Sequence, residues 1–313
     1  MSEEIIINST PSETRVALVE SGMLQEVWLE RASHTGYIGN IYKGEVSRVL
    51  PGLQAAFVDI GLERTAFLHA RDMVRNDPVT AGDEAPPEPL ISGLLRPGDH
   101  VIVQVIKDPL GSKGARLTTN ISIPSRFLVF LPNCDVIGIS VRIEEENERA
   151  RLKDLVYRLR DETDGHGFIV RTNAADQPRS LLRGDVRALL RLWKRILSEV
   201  KRGDGPKLLH NEQDLALQAL RDYLDNDFSE VIVTGKDLLA KARQYVRATM
   251  PRCRAKLRLY EESLPLFSKY ALESQIESIH QRRVMLPGGG SLVIDRTEAL
   301  TAVDVNSGRA TQG

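Results

Sequence analysis

The chain has 313 residues, 42% of them hydrophobic and 27% charged, and its formal net charge at pH 7 is −1. This composition is typical of a folded globular protein of roughly two domains, and it excludes a nucleic-acid binder that relies on bulk positive charge. The two cysteines, Cys134 and Cys253, are too few for a disulfide framework or a four-cysteine zinc site.

The N-terminal stretch is acidic and holds one short apolar run at 5–7. It predicts neither a secretory signal nor a membrane span, and with cysteines expected to be reduced it predicts a cytoplasmic protein. Apolar runs at 5–7, 14–20 and 24–30 predict three strands joined by short turns. Because so small a meander is not stable by itself, we expect it to pack on a segment from later in the chain.

The next stretch predicts a small β-barrel. Short apolar runs over 39–69 are separated by glycine- and proline-containing turns, and the runs at 101–107 and 115–119 supply further strands. The pattern resembles an S1 domain, an OB-fold barrel that binds single-stranded nucleic acid. Between these strands, residues 77–88 are rich in Pro, Gly and Asp and are predicted to form a surface loop.

Two phenylalanines of the predicted barrel, Phe57 and Phe67, have two possible roles. OB folds hold single strands by stacking bases on aromatic rings beside basic groups. A phenylalanine in a barrel is more often a core residue. Lys113, in the loop at 111–115, is in the same way either a phosphate contact or a solvated charge, and the barrel pattern alone leaves these alternatives open.

Residues 120–205 predict a further unit. Its predicted strands and helices are strands at 127–131, 136–142 and 167–172 and helices at 144–160 and 181–200. Residues 183–202 hold seven basic and two acidic side chains, which is typical of a solvated helix face. Arg171 and Thr172 end the third strand, where a guanidinium fork, a hydroxyl and a backbone N–H can bind phosphate. The alternative is a surface arginine paired with a nearby acid.

The following stretch predicts further helices and strands. They are helices at 212–225, 237–249 and 267–280, a strand at 230–234, and a segment at 252–258 in which basic and apolar residues alternate. The alternating segment indicates either a strand with one basic face or an edge strand that charge protects from aggregation.

The last part of the chain predicts a hairpin and one more strand. Apolar runs at 284–286 and 292–294 flank a glycine-rich turn, and residues 300–306 predict the third strand. Because side chains alternate along a strand, Asp304 and Asn306 share one face. A carboxylate and an amide oxygen side by side can share a hard cation such as Mg²⁺, although an Asp-x-Asn pair at a strand end also occurs as a simple turn.

A family resemblance is carried by this segment. The run TEALTAVDVNS over 297–307, with GGSLVID over 289–295 before it, resembles the active-site segment of the ribonuclease E/G family. The resemblance extends along the chain and implies an α+β multidomain protein with an S1 barrel and a 5′-sensor region inserted into an RNase H-like subdomain. The implied domains are 1–36 (RNase H-like subdomain, first part), 37–119 (S1, OB-fold), 120–205 (5′-sensor region), 206–279 (RNase H-like subdomain, second part) and 280–313 (start of a DNase I-like catalytic domain).

The resemblance also implies residues for catalysis and for RNA binding. Asp304 and Asn306 match the catalytic residues at the family's Mg²⁺ site, with Asp304 as the metal ligand. Phe57 and Phe67 match the phenylalanines on which RNA bases stack, and Lys113 matches a phosphate-contacting lysine. The implied partner is therefore single-stranded RNA.

A 5′-phosphate site is implied as well. Arg171 and Thr172 match the family's 5′-sensor, which reads the 5′-monophosphate of the RNA, and Arg142 falls where the family has a second sensor arginine. The resemblance thus implies an endoribonuclease that prefers 5′-monophosphorylated single strands and acts in rRNA maturation and mRNA decay. No membrane partner is expected.

The family pattern extends further than this sequence does. In the family, the catalytic domain continues with a second metal-binding aspartate and with cysteines that join protomers of a homo-oligomer through Zn²⁺. We therefore expect the 313-residue chain to end within this domain and to cleave RNA poorly by itself. An RNA-binding module without catalysis is the alternative from a different class, and a structural S1 protein of the ribosome would explain only 39–119.

Overall fold

The computed structural model describes most of the chain. The described residues are 3–34, 36–73, 90–111, 113–159, 165–212, 214–225, 228–250, 253–286, 288–298 and 300–308. The loop predicted at 77–88 and Arg252 of the predicted basic segment lie outside the described residues.

Within the described ranges, the chain forms eighteen strands and seven α-helices. The strands are β1 (Glu3–Ser9), β2 (Glu13–Glu20), β3 (Met23–Arg31), β4 (Ile41–Leu50), β5 (Ala55–Asp59), β6 (Ala66–His69), β7 (His100–Lys107), β8 (Arg116–Thr118), β9 (Ile123–Pro124), β10 (Leu128–Leu131), β11 (Ile137–Ile139), β12 (Gly167–Val170), β13 (Lys207–His210), β14 (Phe228–Val233), β15 (Lys256–Leu259), β16 (Arg283–Met285), β17 (Ser291–Arg296) and β18 (Thr301–Asn306). The helices are α1 (Ile91–Leu94), α2 (Glu146–Arg158), α3 (Arg179–Val200), α4 (Leu215–Asp222), α5 (Lys236–Thr249), α6 (Leu266–Lys269) and α7 (Leu272–Ile279).

The chain forms two compact units, a terminal unit (Met1–His34 with Leu215–Gly313) and a central unit (Thr35–Asp214). The terminal unit contains a five-stranded sheet of order β15-β14-β1-β2-β3. β1 is antiparallel to β2 and parallel to β14, which is parallel to β15. The N-terminal meander is thus completed by strands from later in the chain, as its small size predicted.

The middle strand of this sheet is buried on both faces. Ile5, Ile6 and Ile7 of β1 are fully buried. Ile5 and Ile7 belong to the core that α4 and α5 cover, whereas Ile6 belongs to the core beneath α6 and α7. Successive side chains of a strand point to opposite faces, so the uninterrupted apolar run reflects a sheet with helices on both sides.

Two details of the terminal unit differ from or refine the sequence prediction. The helix predicted at 267–280 is two helices, α6 and α7, because Ala271 between them adopts a left-handed conformation with φ 51°. Of the described part of the basic segment, only residues 256–258 belong to β15, which lies at the edge of the sheet, and Arg258 pairs with Glu230 of β14 at 3.3 Å. A charged edge strand is therefore the better of its two interpretations.

The central unit contains a closed barrel. β4, β5, β6, β8 and β7 pair in that order, and β7 pairs back to β4. The barrel interior is apolar and includes Val46, Val58, Leu68, Val103 and Leu117. The structure confirms the OB-like barrel that the short, glycine-punctuated strands predicted, and with it the α+β class of the chain.

One strand of this unit comes from the range 206–279, which the family resemblance implied for the second part of the RNase H-like subdomain. β13 pairs antiparallel with Ile41, Tyr42 and Lys43 of β4. The same β4 residues pair with β7 on their other side. Backbone groups at a strand edge need partners, and β13 supplies them along the start of β4.

A second sheet of the central unit has the order β11-β12-β10-β9, with β11 parallel to β12 and β10 antiparallel to it. Phe130, Phe168 and Trp193 pack together in its core, with the ring centroids of Phe130 and Phe168 5.1 Å apart. Helix α3 spans Arg179–Val200 and confirms the helix predicted at 181–200. Of the strand predicted at 136–142, only Ile137–Ile139 forms, so Arg142 lies in the turn that follows.

The end of the chain forms a three-stranded antiparallel sheet of order β16-β17-β18 in the terminal unit. This confirms the hairpin and the third strand predicted there. Every residue of β18 is exposed. Among the described residues, none of the helices combines the length and the apolar character that a membrane crossing requires.

Candidate nucleic-acid interface and metal site

The outer surface of the barrel carries the two predicted phenylalanines. Phe57 of β5 lies directly opposite Phe67 of β6, and their ring centroids are 6.2 Å apart at an interplanar angle of 69°. Both rings are half-buried, whereas the neighbours Val58 and Leu68 are fully buried in the barrel. The rings therefore lie outside the core, as the S1 resemblance implied.

The strand register places basic residues on either side of these rings. Arg48 of β4 is opposite Phe57, Arg116 of β8 is opposite Phe67, and Lys107 of β7 is opposite Arg116. Residues directly opposite in a ladder point to the same face. The result is a cross-strand row of Arg48, Phe57, Phe67, Arg116 and Lys107. None of its three cations is evident from the sequence, because only the pairing of the strands reveals them.

A groove of about 1220 Å³ runs over this surface. Its lining residues are Phe57, Glu63, Arg64, Thr65, Phe67, Lys107, Asp108, Pro109, Leu110, Lys113, Gly114 and Arg116. Lys113 is thus brought to the same groove as the two phenylalanines. Its backbone exchanges hydrogen bonds of 3.0 and 3.1 Å with Leu110, and a side chain on Gly114 would overlap the Thr65 carbonyl oxygen. These contacts hold the lysine loop close against the barrel.

The charge of the groove is mixed, with cations in excess. Four of its lining residues are basic and two are acidic. Arg116 Nε lies 2.9 Å from a carboxylate oxygen of Asp72, so its charge is partly compensated. Arg64 donates to the carbonyl of Gly111. An aromatic pair flanked by basic side chains is the arrangement that single-stranded nucleic acid needs, with rings for the bases and cations for the phosphates.

The predicted sensor residues lie at one edge of the second sheet. Arg171 and Thr172 directly follow β12, and Arg142 lies three residues after the end of β11. Between them, the backbone N of Ser140 donates to the Val170 carbonyl at 2.8 Å and joins the two strand ends. Because β11 and β12 are parallel, their C-terminal ends lie at the same edge. The structure therefore brings all three predicted residues to one end of the sheet. Arg142 and Thr172 are exposed there, and Arg171 is half-buried.

Arg171 is oriented by a loop and a half-buried acid. Its Nη1 donates to the Ser125 carbonyl at 2.7 Å, and its backbone N donates to the Phe127 carbonyl at 2.8 Å. Asp185 of α3 accepts from the Ser125 hydroxyl and from the Phe127 N–H at 3.1 Å. Burial raises the pKa of Asp185, while these hydrogen bonds and the charge of Arg171 oppose the shift. The sequence did not reveal Asp185 as a support for the sensor arginine.

The loop after Arg171 is fixed to helix α2. Glu148 accepts from the Asp176 backbone N at 3.0 Å and from Arg151 at 2.6 Å. The hydrogen bond from Arg151 is the main reason that the pKa of Glu148 lies below its usual range. Arg149 of the same helix donates to the carbonyl of Ser140 at 2.8 Å. Helix α2 thus holds both chain segments from which the sensor side chains project.

The predicted metal residues lie side by side on β18. Asn306 Nδ2 donates to Asp304 Oδ2 at 3.0 Å, which confirms that the two side chains share a face. On the same face, Asp295 of β17 forms a two-bond ion pair with Arg282, with N···O distances of 2.5 and 2.8 Å. Within the described part of the chain, no group of three or more His, Cys, Asp or Glu side chains is placed to hold a metal. Because Arg282 already binds Asp295, Asp304 and Asn306 are the candidate metal donors on this face among the described residues.

The donor atoms of Asp304 and Asn306 are of the chemical type that a hard cation prefers. Mg²⁺ prefers oxygen ligands, retains several waters and is commonly bound through one or two carboxylates together with substrate phosphate. Asp304 supplies a carboxylate. Rotation of the Asn306 amide by half a turn would present its oxygen beside that carboxylate, because amide oxygen and nitrogen occupy equivalent positions. Both side chains are exposed, which leaves room for water and substrate oxygens.

Comparison with known proteins covers nearly the entire chain. A sequence model of the ribonuclease E/G family matches residues 122–313, and a model of the S1 RNA binding domain matches residues 37–118. Ribonuclease G of Escherichia coli (strain K12) is 44% identical over 310 residues, which cover 98% of this chain and 63% of that protein.

Two further relatives agree with this match. Ribonuclease G of Haemophilus influenzae is 44% identical over 97% of this chain and 62% of its own length. Ribonuclease E of Escherichia coli (strain K12) is 42% identical over 99% of this chain and 29% of its own length. The chain thus spans less than two thirds of the length of these relatives. It belongs to the ribonuclease E/G family.

Proposed function

We propose that the chain is the RNA-binding and catalytic region of a cytoplasmic, Mg²⁺-dependent endoribonuclease that cleaves single-stranded RNA. The observation that carries the proposal is the pair Asp304 and Asn306 on one exposed strand face, in a chain similar to ribonucleases G over 98% of its length. Following the family resemblance, we extend the proposal to 5′-monophosphorylated substrates in rRNA maturation and mRNA decay.

The barrel groove would hold the substrate strand. Bases stack on Phe57 and Phe67, while Lys107, Lys113 and Arg48 contact phosphates on either side of them. The contacts to phosphate carry no sequence information, and stacking accepts every base. The groove therefore supports binding of single strands with little dependence on sequence.

The sensor edge would hold the 5′ end. Arg171, whose Nη1 is fixed by the Ser125 carbonyl, presents a guanidinium of defined orientation, and Thr172 adds a hydroxyl at the start of a short 3-10 turn. A phosphate monoester carries more negative charge than an internal phosphodiester. The cation at this edge therefore favours a 5′-monophosphate over a 5′-hydroxyl.

Asp304 and Asn306 would hold the metal and set its position relative to the scissile phosphate. A bound Mg²⁺ supplies positive charge that stabilises the charge developing on the phosphoryl group. Asp304 would provide the negative charge that retains the cation, and the rotated amide of Asn306 would add an oxygen ligand beside that carboxylate. Asp295 is already paired with Arg282, whose hydrogen bonds hold the pKa of Asp295 below its usual range.

A second candidate function is an RNA-binding module without catalysis. The observation that favours it is the donor set itself, which within the described residues consists of one carboxylate and one amide. This candidate retains the groove and the sensor edge, and it predicts that RNA binds whether or not Mg²⁺ is present.

Cleavage of a single-stranded, 5′-monophosphorylated RNA in Mg²⁺ separates the two candidates. We expect weak but measurable Mg²⁺-dependent cleavage, in line with the expectation that this chain cleaves RNA poorly by itself, and we expect Asp304→Ala to reduce it by about a hundredfold or more, because several kcal/mol of charge stabilisation are lost. Glu298→Ala removes an exposed carboxylate from the β17–β18 turn and serves as the matched control. Cleavage that persists in Asp304→Ala would refute the metal site, and binding without any cleavage by the wild type would favour the second candidate.

A further inference from the structure

Helix α3 carries a row of arginines on its solvent side. Arg179, Arg183, Arg187, Arg191 and Arg195 recur at every fourth position, and all five are exposed. Residues four apart are neighbours on a helix surface, about 6 Å apart along its axis. We call these five residues the arginine row. It extends over about 24 Å of a continuous helix.

The acidic residues of α3 do not interrupt this row. Asp185 is turned inward, where it accepts hydrogen bonds from the Ser125 hydroxyl and the Phe127 N–H. Glu199 lies in the last turn, beyond the row, and binds Arg202 at 2.7 Å and Lys207 at 2.5 Å. The solvent side of the helix between the ends of the row is therefore lined by cations without acidic residues of the same helix among them.

Small residues run beside the arginines. Ser180, Gly184 and Ala188 also recur at every fourth position and are exposed. A side chain on Gly184 would meet nothing within 4 Å, so no packing contact with the described residues requires glycine there. Glycine in a helix interior costs about 1 kcal/mol relative to alanine. Together with Ser180 and Ala188, this glycine leaves a strip of short side chains beside the arginines. An extended ligand can approach the helix backbone along this strip.

The exposed side of α3 has no aromatic residue. Its one aromatic side chain, Trp193, is buried in the core. This distinguishes α3 from the barrel groove, where the cations flank Phe57 and Phe67. A single strand is held by stacking as well as by charge. In an RNA duplex the bases are paired and stacked inside the helix, so a protein mainly contacts the phosphates and the sugar hydroxyls.

We propose that the arginine row binds the phosphate backbone of base-paired RNA. The inference rests on the proposed function, because the RNA substrate would then carry a stem in addition to the single-stranded segment held in the barrel groove. Regularly spaced guanidiniums match a regularly spaced row of phosphates, and each can donate two hydrogen bonds to one phosphate. The contact is independent of sequence, since phosphates carry no base information.

Binding of a blunt RNA duplex of about 16 base pairs with 5′-hydroxyl ends tests the inference. Such a probe has neither a single strand for the groove nor a 5′-phosphate for the sensor edge. Affinity is measured by fluorescence anisotropy over a range of salt concentrations. The double variant Arg191→Gln/Arg195→Gln removes two cations of the row. Each lost phosphate contact lowers the slope of log affinity against log salt by about one, so the expected decrease is about two.

The matched control is Lys153→Gln/Arg158→Gln, which removes two exposed cations from α2 of the same unit. Its slope is expected to equal that of the wild type, and circular dichroism confirms that both variants are folded. The ratio of duplex to single-strand affinity should fall in the row variant only. Equal duplex binding by the wild type and the row variant, or no duplex binding by the wild type, would overturn the inference. Equal losses for duplex and single strand would overturn its assignment to base-paired RNA.

Failure of the proposed function has a different signature. In that case the wild type shows no Mg²⁺-dependent cleavage of single strands, whereas the duplex measurement involves no cleavage and retains its dependence on Arg191 and Arg195.

Discussion

Phe57 and Phe67 face each other across the antiparallel strands β5 and β6, with their ring centroids 6.2 Å apart. The adjacent residues Ala56 and Leu68 are fully buried, so the alternation of side chains turns both rings to the outside of the barrel. Rings fixed on a closed barrel lose little conformational freedom when a ligand binds. The pair is therefore suited to stacking against the bases of a single strand.

Removing either ring should weaken RNA binding without unfolding the protein. We expect Phe57→Ala and Phe67→Ala each to weaken binding of single-stranded RNA by about 1–3 kcal/mol, the usual contribution of one stacked base. The thermal midpoint should change little, because neither ring belongs to the barrel core. Fluorescence anisotropy and thermal unfolding measure the two effects.

Phe130 supplies the contrasting control for this prediction. It is fully buried and packs against Phe168 and Trp193, so Phe130→Ala is expected to lower the free energy of unfolding by about 3–5 kcal/mol. If Phe57→Ala destabilises the protein as strongly as Phe130→Ala and leaves RNA affinity unchanged in the folded fraction, the ring is a core residue and the interface assignment fails.

Arg171 should determine the response to the 5′ end of the RNA. Arg171→Ala is expected to remove the preference for a 5′-monophosphate over a 5′-hydroxyl, because a charge-assisted hydrogen bond contributes about 1.5–3 kcal/mol, or roughly a tenfold preference or more. Arg171→Lys retains the charge without the planar fork and should keep part of the preference. The measurement is the ratio of affinities for two oligonucleotides that differ only at the 5′ end.

Two further variants separate recognition from support. Arg142→Ala, at the same sheet edge, should reduce the preference less, since this arginine lies in a turn and is exposed. Arg158→Ala changes an exposed arginine of α2 that pairs with Asp154 at 2.8 Å and should leave the ratio unchanged. A wild-type protein that binds both 5′ ends equally would refute the sensor assignment.

Asp185 should make the free energy of unfolding depend on pH. Burial raises the pKa of its carboxyl in the folded protein, so the folded state binds this proton more tightly than the unfolded state, in which an aspartate titrates near about 3.9. The contribution of protonated Asp185 to the free energy of unfolding is therefore fully present at pH values below the pKa of this aspartate in the unfolded state. It is lost as the pH rises from there through the higher folded-state pKa.

Comparison with Asp185→Asn isolates this contribution. The free energy of unfolding of the wild type minus that of Asp185→Asn is expected to decrease as the pH rises through this window, because asparagine does not titrate there. Chemical denaturation at a series of pH values measures the difference. A difference that is flat with pH, or that increases with pH, would show that hydrogen bonds from Ser125 and Phe127 outweigh the effect of burial.

Local pattern was sufficient for many elements of this fold and for part of the site. The continuous apolar run Ile5, Ile6 and Ile7 predicted a strand, and period-two alternation alone placed Asp304 and Asn306 on one side of β18. These features depend on neighbours within a few residues, and the rules of strand geometry apply to them directly. The helix at 267–280 was mispredicted because a left-handed Ala271 has no local signal.

Only the tertiary structure decided which distant segments meet. The register of the barrel strands brings Arg48 and Arg116 beside the two phenylalanines, β13 pairs with β4, and Asp185 of α3 lies beneath the loop that orients Arg171. Pairing and register depend on contacts between segments tens of residues apart, and a shift of one residue would reverse the face of every side chain. The sequence thus determined which chemical groups are available and on which face of a strand they lie, whereas the long-range packing of the chain decided which of them act together.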